Sequence, residues 1–393
     1  MSFYHPYSPE IIEDPHPVYR RLREEAPCYF LADWDTWFLS RFDDIWNASM
    51  DGESYSTAGG TTTAQLVSQV QPVTPMLANF DPPRHTALRS RISPYFTPGA
   101  VRRLEPRIAE IVDQAFAAVR EKPEVDVYGD FAARVSVKVA CLANGFPMED
   151  SEMLNALVWR FFAREEGVQG MTSDGVQAMM EMFAYFGALV NERRRAGADG
   201  DSVVDLLCRY EEEGQRYDVE SASSHLSLFL IGGAETFPKT FASAVHRFWQ
   251  HPEQRAALAA DLSLVPEAYR EVLRFDMPTQ YLMRRVVREV SLHGERLRPG
   301  QKVAFLYPSA NRDAREFADP DRFDVRRRPP RILSFGHGIH ACIGQHFARA
   351  EARMCIETLL RHAPEYEVQA SRLRRLRTEF VQGWETMPVR WNA

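Results

Sequence analysis

Apolar residues recur at three- and four-residue intervals along most of the chain, the period of a helix that buries one face. The pattern predicts long helices over 14–25, 98–121, 174–197, 220–249, 264–274 and 342–363. Segments with strand character are short: 37–40, 287–292, 302–307 and 387–391. Residues 55–79 carry Gly59-Gly60 and a Thr run without periodicity, and read as a long loop of the kind that often serves function. No Gly/Ser- or Pro-rich linker and no repeat divides the chain. The expectation is one mainly helical unit spanning 1–393, with small peripheral sheets.

Composition narrows the classes. With 393 residues, 45% hydrophobic and 26% charged, the chain can fold around a large core. A net charge of -7 argues against general nucleic-acid binding, which needs a basic surface. Cys28, Cys141, Cys208, Cys342 and Cys355 are scattered and odd in number, a poor disulfide framework that fits a reducing cytoplasm. Residues 1–16 lack the basic start and apolar stretch of a signal peptide. No run approaches the roughly 18 apolar residues of a membrane helix. A soluble, cytoplasmic protein without membrane or nucleic-acid partners is expected.

From 335 to 344 the chain reads Phe-Gly-His-Gly-Ile-His-Ala-Cys-Ile-Gly. Gly336 and Gly338 allow backbone angles closed to other residues, so a tight loop can press against a flat ligand. After Cys342, the apolar Ile343, Phe347, Ala350 and Met354 share one helical face, which puts Cys342 at a helix N-terminus. Free N–H groups and the helix dipole favour a thiolate there. Gly344 keeps a side chain out of the ligand plane. A thiolate donating to haem iron would favour O–O cleavage. The same segment leaves zinc open, since His337, His340, Cys342 and His346 could supply nitrogen and sulfur ligands. Cys355, in the same helix, reads as a small hydrophobe.

The helix expected over 220–249 contains Gly232-Gly233, which cost stability in a helix interior unless something approaches the backbone closely. Glu235 and Thr236 would set an acid and an alcohol beside that gap, the groups needed to carry protons into a dry site. Alternatively, Glu235 is solvated and Thr236 bonds a carbonyl one turn back. Pro238 cannot donate to the Ala234 carbonyl, so it should kink the helix and free that carbonyl for water. Glu271 and Arg274 meet at a three-residue spacing, the usual geometry of a weak surface pair.

The cysteine segment resembles the haem-binding loop of soluble, bacterial-type cytochromes P-450, Phe-Gly-x-Gly-x-His-x-Cys-x-Gly, at all six fixed positions. The likeness extends over nearly the whole chain, and it implies the mainly helical fold of that family, with haem b between the central helix and the cysteine loop. Cys342 would then be the axial iron ligand, with Phe335 packed near the sulfur and Gly336 and Gly344 lining the haem. His340 would bond a propionate. The run 232–236 resembles the family's Ala/Gly-Gly-x-Asp/Glu-Thr, which makes Thr236 the alcohol of the oxygen groove and Glu235 the proton-relay acid. Phe237 departs from the Thr or Ser common at its position. Glu271, Arg274 and Arg322, the last from the segment 317–323, would form a buried network holding the loop. Asp81-Pro-Pro-Arg-His-Thr-Ala-Leu-Arg89 resembles the start of the propionate-binding helix, assigning His85 and Arg89. Arg284 or its neighbour Arg285 would add a third propionate contact.

By the same resemblance, substrate would meet 55–79, 159–180, 278–283 and 382–387. Leu228, Phe229, Phe237, Tyr281, Leu282 and Trp384 are candidates that suit an apolar small molecule, though each could be ordinary core. The implied activity is a monooxygenase that inserts one atom of O2 by hydroxylation or epoxidation. About fifty residues follow the cysteine loop, too few for a reductase module. Electrons are therefore expected from a ferredoxin or flavodoxin with its NAD(P)H reductase. Arg326, Arg327, Arg328 and Arg331 could steer such a partner or simply be solvated. A thiolate-haem sensor or carrier and a hydrogen-peroxide-dependent peroxygenase are the alternatives.

Overall fold

The computed structural model describes residues 3–69, 76–165, 170–376 and 378–391. Helices dominate. In chain order the main ones are α1 (His16–Glu25), α2 (Phe42–Met50), α3 (Arg84–Ile92), α4 (Pro98–Ala117), α5 (Ala133–Asn144) and α6 (Ser151–Phe162). There follow α7 (Ser173–Arg195), α8 (Val219–Ala234), α9 (Thr236–Gln250), α10 (Val265–Phe275) and α11 (Gln345–His362). Their starts carry recognisable caps. The Thr97 hydroxyl accepts from the Ala100 N–H at 3.2 Å ahead of Pro98, and the Asp218 carboxylate accepts from Ser221 at 2.7 Å. The α10 sequence buries Val265, Ala268, Tyr269 and Val272 on one stripe, as its period requires.

A five-stranded sheet brings strands from residues 28–56 together with strands from residues 281–306. Its strands are β1 (Cys28–Leu31), β2 (Thr36–Leu39), β3 (Tyr55–Ser56), β4 (Tyr281–Val286) and β5 (Lys302–Leu306), in the order β1-β2-β5-β4-β3. The β5–β2 pairing is parallel, Lys302 opposite Thr36, and the other pairs are antiparallel. Period-two alternation divides the side chains between two cores. Trp37, Leu39, Val303 and Phe305 pack on one face with α2, while Phe38, Ala304, Leu306 and Tyr281 pack on the other with Tyr19 and Leu22 of α1. The largest core lies among the helices, where α8 packs on α5 and α7, and α11 packs on α4 and α10.

Two expectations change here. The helix expected over 220–249 is interrupted: α8 ends at Ala234, Glu235 forms a bend, and α9 starts at Thr236. The break thus falls three residues before Pro238, within reach of the N–H which that proline withholds from Ala234. The loop 55–79 holds β3, a short helix at Thr63–Leu66 and a turn at Leu77–Asn79, with 70–75 outside the described residues. Among the described residues no helix is long and apolar enough to cross a membrane.

Candidate functional site

The cysteine loop is tied down at its base by a chain of buried polar groups. Arg274 lies fully buried and grips Glu271 with two bonds, Nε to Oε2 at 2.7 Å and Nη2 to Oε1 at 2.8 Å. Its Nη1 donates to the Asn311 carbonyl at 2.9 Å. The Asn311 side chain accepts from the Leu333 N–H at 2.8 Å and donates to the Ser334 hydroxyl at 3.0 Å. The pair at 271 and 274 is therefore no surface bridge; it fixes the backbone where the loop begins. Its second arginine is Arg327, whose Nε donates to Glu271 at 3.2 Å. Arg322 lends only its backbone carbonyl, accepting from Arg274 at 3.5 Å and from Arg327 at 3.1 Å, which corrects the expectation for that residue.

Within the loop, Gly336 and Gly338 have φ of 67° and 74°. At Gly338 a Cβ would lie 2.3 Å from the Ser49 carbonyl oxygen of α2, so no other residue fits there without movement. The Cys342 N–H donates to the Phe335 carbonyl at 2.8 Å, folding the loop back on itself. Gly344 is the N-cap of α11, which places Cys342 two residues ahead of the cap rather than at it. The N–H groups of Gly344 and Gln345 still favour its thiolate, as do Arg89 and Arg349, but burial outweighs them and holds the thiol above its ordinary value. The residue is nevertheless exposed. Both facts hold if the sulfur faces interior space rather than bulk solvent, and a bound cationic metal would complete the stabilisation of a thiolate there. Phe335 is half-buried with the Arg349 guanidinium 4.8 Å from its ring centre.

Beside the sulfur lies a group of buried and half-buried bases and cations that makes no ion pair among the described residues; the Asp81 carboxylate, bonded to Ser56 and Thr57, acts on His85 and Arg284 only from a distance. His85 and His340 stack obliquely with ring centres 4.3 Å apart. Among the described residues neither nitrogen of His85 has a partner, although the residue is 2% exposed. Arg89 donates to the Ala341 carbonyl at 2.7 Å, and among the described residues buried Arg284 donates only to the carbonyl of Met283 at 2.8 Å. Burial and Arg89 pull His85 down to about 4; burial, Arg284, His85 and Arg89 pull His340 down to about 2. Arg285 is exposed beside Gly59, so Arg284 is the arginine that belongs to this group. Orphaned nitrogens and unpaired guanidiniums in one interior place suit a ligand bearing two carboxylates. Haem has two propionates, and the residues present fit it. Zinc does not fit: among the described residues no three His, Cys, Asp or Glu side chains converge to hold a metal ion. His337 instead stacks on Trp46 at 3.5 Å.

On α8, Gly232 has open space where a Cβ would stand, whereas a Cβ on Gly233 would meet that of Ala140 on α5 at 2.9 Å. A side chain at 232 would therefore meet open space while Gly233 serves helix packing, a division the sequence did not reveal. Thr236 is half-buried and, among the described residues, its hydroxyl has no protein partner; it does not bond back to its own helix. Glu235 is not solvated either. Its carboxylate, 3% exposed, forms an ion pair with the Lys239 ammonium, itself 2% exposed, and Lys239 also donates to the Tyr128 hydroxyl at 3.1 Å. Sequence reading missed Lys239 and Tyr128; one ammonium four residues after Glu235 on an otherwise apolar helix was the available signal. It also missed Glu351 of α11, a buried carboxyl pushed well above its ordinary value by burial.

The chain matches the cytochrome P-450 family model over residues 56–380. It belongs to that family. Vitamin D(3) 25-hydroxylase of Pseudonocardia autotrophica is 34% identical over 383 residues, covering 96% of this chain and 94% of the relative. The P-450 monooxygenase PikC of Streptomyces venezuelae is 31% identical, covering 96% and 91%. A Bacillus megaterium P-450 solved with corticosterone superposes with a TM-score of 0.84 at 26% identity, covering 98% of this chain and 100% of that one. The P-450 fold and a haem cofactor follow, and the chain is an oxidoreductase of monooxygenase type.

The substrate candidates of this P-450 divide. Tyr281 is 1% exposed in the sheet core, bonded to the Thr63 hydroxyl at 2.8 Å, so it does not line a pocket. Phe229 stacks on Phe96 and Phe237 packs on Phe241, both buried in the helical core. Leu228, Leu282 and Trp384 remain partly exposed. Part of the expected contact region, 166–169, lies outside the described residues. The arginine run also divides. Arg327 is spent on Glu271, and Arg331 pairs with Glu316 and Asp43 at 2.7 and 2.8 Å, leaving Arg326 and Arg328 exposed.

Proposed function

We propose that this P-450, acting as one domain over 1–393, is a haem-thiolate monooxygenase that inserts one atom of O2 into an apolar small molecule by hydroxylation or epoxidation. The cofactor is haem b, and electrons come from a separate ferredoxin or flavodoxin with its NAD(P)H reductase. The observation that carries the reading is the group of His85, Arg89, Arg284 and His340, which makes no ion pair among the described residues, next to an exposed Cys342. Bound there, haem would supply the oxygen-activating chemistry, with thiolate donation favouring O–O cleavage.

The chain's own residues have distinct tasks. Cys342 supplies the sulfur ligand, and the four basic residues meet the propionates. Glu271, Arg274 and Arg327 keep the loop in register, so that the sulfur is presented at a fixed place. Phe335, Gly336 and Gly344 shape the loop around it. Thr236 presents an unpartnered hydroxyl at the helix break, where it can hold water and pass a proton, with Glu235 as the acid behind it. Leu228, Leu282 and Trp384 offer apolar surface, in keeping with relatives named for vitamin D3 or solved with corticosterone. Arg326 and Arg328 give an acidic redox protein a basic edge to approach.

The test is spectroscopic. Reduced, CO-treated protein is expected to show the red-shifted Soret band of thiolate-bound haem, and Cys342→Ala to lose it. A colourless preparation from haem-sufficient cells, or an unchanged Cys342→Ala spectrum, overturns the reading. Substrate-dependent NAD(P)H consumption with a generic ferredoxin system separates a monooxygenase from a haem sensor or carrier.

A further inference from the structure

The acid at 235 is held in a way that its proton-carrying role alone does not explain. Its carboxylate lies buried at the bend between α8 and α9 and meets the ammonium of Lys239, one turn further along α9. That ammonium reaches the Tyr128 hydroxyl at 3.1 Å and the Glu235 carbonyl at 3.5 Å. Tyr128 sits on a wide π-helical turn, Val127–Ala132, that runs into α5 and packs against α9. Over the Lys239 stem lies Gly383, whose φ is 144°; a Cβ there would touch the stem at 3.3–3.6 Å. Three separate elements thus shape one lysine's berth.

A buried ion pair is a poor way to stabilise a core, because removing two charges from water costs about as much as their attraction returns. Apolar residues of similar volume at 235 and 239 would serve packing as well. The pair also stands next to Thr236, whose hydroxyl has no partner among the described residues. Burial pushes the Glu235 carboxyl up while Lys239 pulls it down; Glu235 and Tyr128 in turn hold Lys239 above its ordinary value against burial. A charge pair at contact with a third hydrogen bond favours the ionised state of both partners.

We infer that Lys239, steadied by Tyr128, is the positioning residue for Glu235: it keeps the acid ionised and latched to its own helix beside Thr236. The inference rests on the reading of Glu235 as the proton-relay acid, and it gives that acid a defined resting state. Besides Lys239, the Arg164 guanidinium also acts on Glu235, more weakly than Lys239.

Infrared difference spectra of Lys239→Met, with and without Glu235→Gln, test the resting state independently of turnover. Lys239→Met is expected to show a protonated-carboxyl band at neutral pH that the double variant lacks and the parent lacks. Lys239→Arg should show none, and Tyr128→Phe a weaker one. In turnover, product formed per NAD(P)H should fall in Lys239→Met and in Glu235→Gln by similar factors, with substrate KM little changed. Their double variant should fall no further, because both changes disable one unit. Lys239→Arg should recover most of the coupling. An absent carboxyl band in well-folded Lys239→Met overturns the latch, as does a double-variant loss equal to the product of the single losses. If the band appears but Glu235→Gln couples normally, the resting state stands and the relay reading of Glu235 fails. A parent without thiolate-haem absorption refutes the proposed function and leaves the infrared result intact.

Discussion

Two sets of buried and half-buried arginines meet the cysteine loop, and they are finished to different degrees. Arg274 and Arg327 spend their guanidiniums on Glu271 and on backbone carbonyls at 2.6–3.5 Å. Arg89 and Arg284 each hold one backbone carbonyl and, among the described residues, form no ion pair with a carboxylate. The first set is complete within the polypeptide and acts as scaffold. The second is complete only when another molecule brings negative charge. Degree of satisfaction, more than burial or residue type, separates a structural charge from a binding one.

The contrast is broken most forcefully at the scaffold. Arg274→Ala removes two of the bonds to the buried Glu271 carboxylate and leaves Arg327 as its remaining ion-pair partner, so unfolding free energy should drop by about 3 kcal/mol, read by urea denaturation. Arg284→Leu should do the opposite to the empty protein. With an unpaired buried cation removed, the haem-free form should be at least as stable as the parent. Haem should nevertheless transfer to an acceptor protein roughly 10- to 100-fold more readily, the effect of losing about 1.5–3 kcal/mol of charged hydrogen bonding. Gly338→Ala should cost about 1–3 kcal/mol, since it adds a left-handed backbone penalty to a collision with Ser49, and a melting scan would show it.

Acid sharpens the comparison further. Burial holds His85 and His225 at about 4 in the folded chain, against 6.5 when unfolded. The unfolded state therefore binds more protons between those values, and haem-free protein should lose stability as pH falls from about 6.5 toward about 4. Carboxylates arriving beside His85 raise its folded pKa and shrink that loss, while the share due to His225 persists. The smallest effect is expected at the surface. Arg326→Glu with Arg328→Glu should change stability by no more than about 0.5 kcal/mol yet weaken the salt dependence of reduction, whereas Arg327→Glu should unfold the protein more readily.

Long one-sided helices were legible in the sequence because their apolar stripe survives any context: α4, α7, α10 and α11 lie within a few residues of the segments expected. The helices α5 and α6 escaped notice for the opposite reason. With Val135, Val137, Val139 and Cys141 buried alongside Ser136 and Ala140, α5 is packed on most sides and shows no stripe. The strand expected over 287–292 is real only at Val290–Leu292, while β4, rich in side chains bound for two different cores, was passed over. At the site, the loop was readable from its glycines and Cys342. The partner of Glu271 was not, since Arg322 and Arg327 are five residues apart on an irregular segment, where no period says which one turns inward. The break at Glu235 likewise followed from Pro238 only in kind, because the missing N–H acts four residues back.

The parallel pairing of β5 with β2 has a consequence for how the molecule comes into being. Thr36–Leu39 leaves the ribosome long before Lys302–Leu306, the neighbour that lies between it and β4. Until then the hairpin of β1 and β2 has a bare edge and an uncovered apolar face, and a two-stranded hairpin is marginal in water. The amino-terminal lobe must therefore close late, after most of the helices have been synthesised, and a chain stalled before residue 302 would carry that sticky edge exposed to other nascent chains.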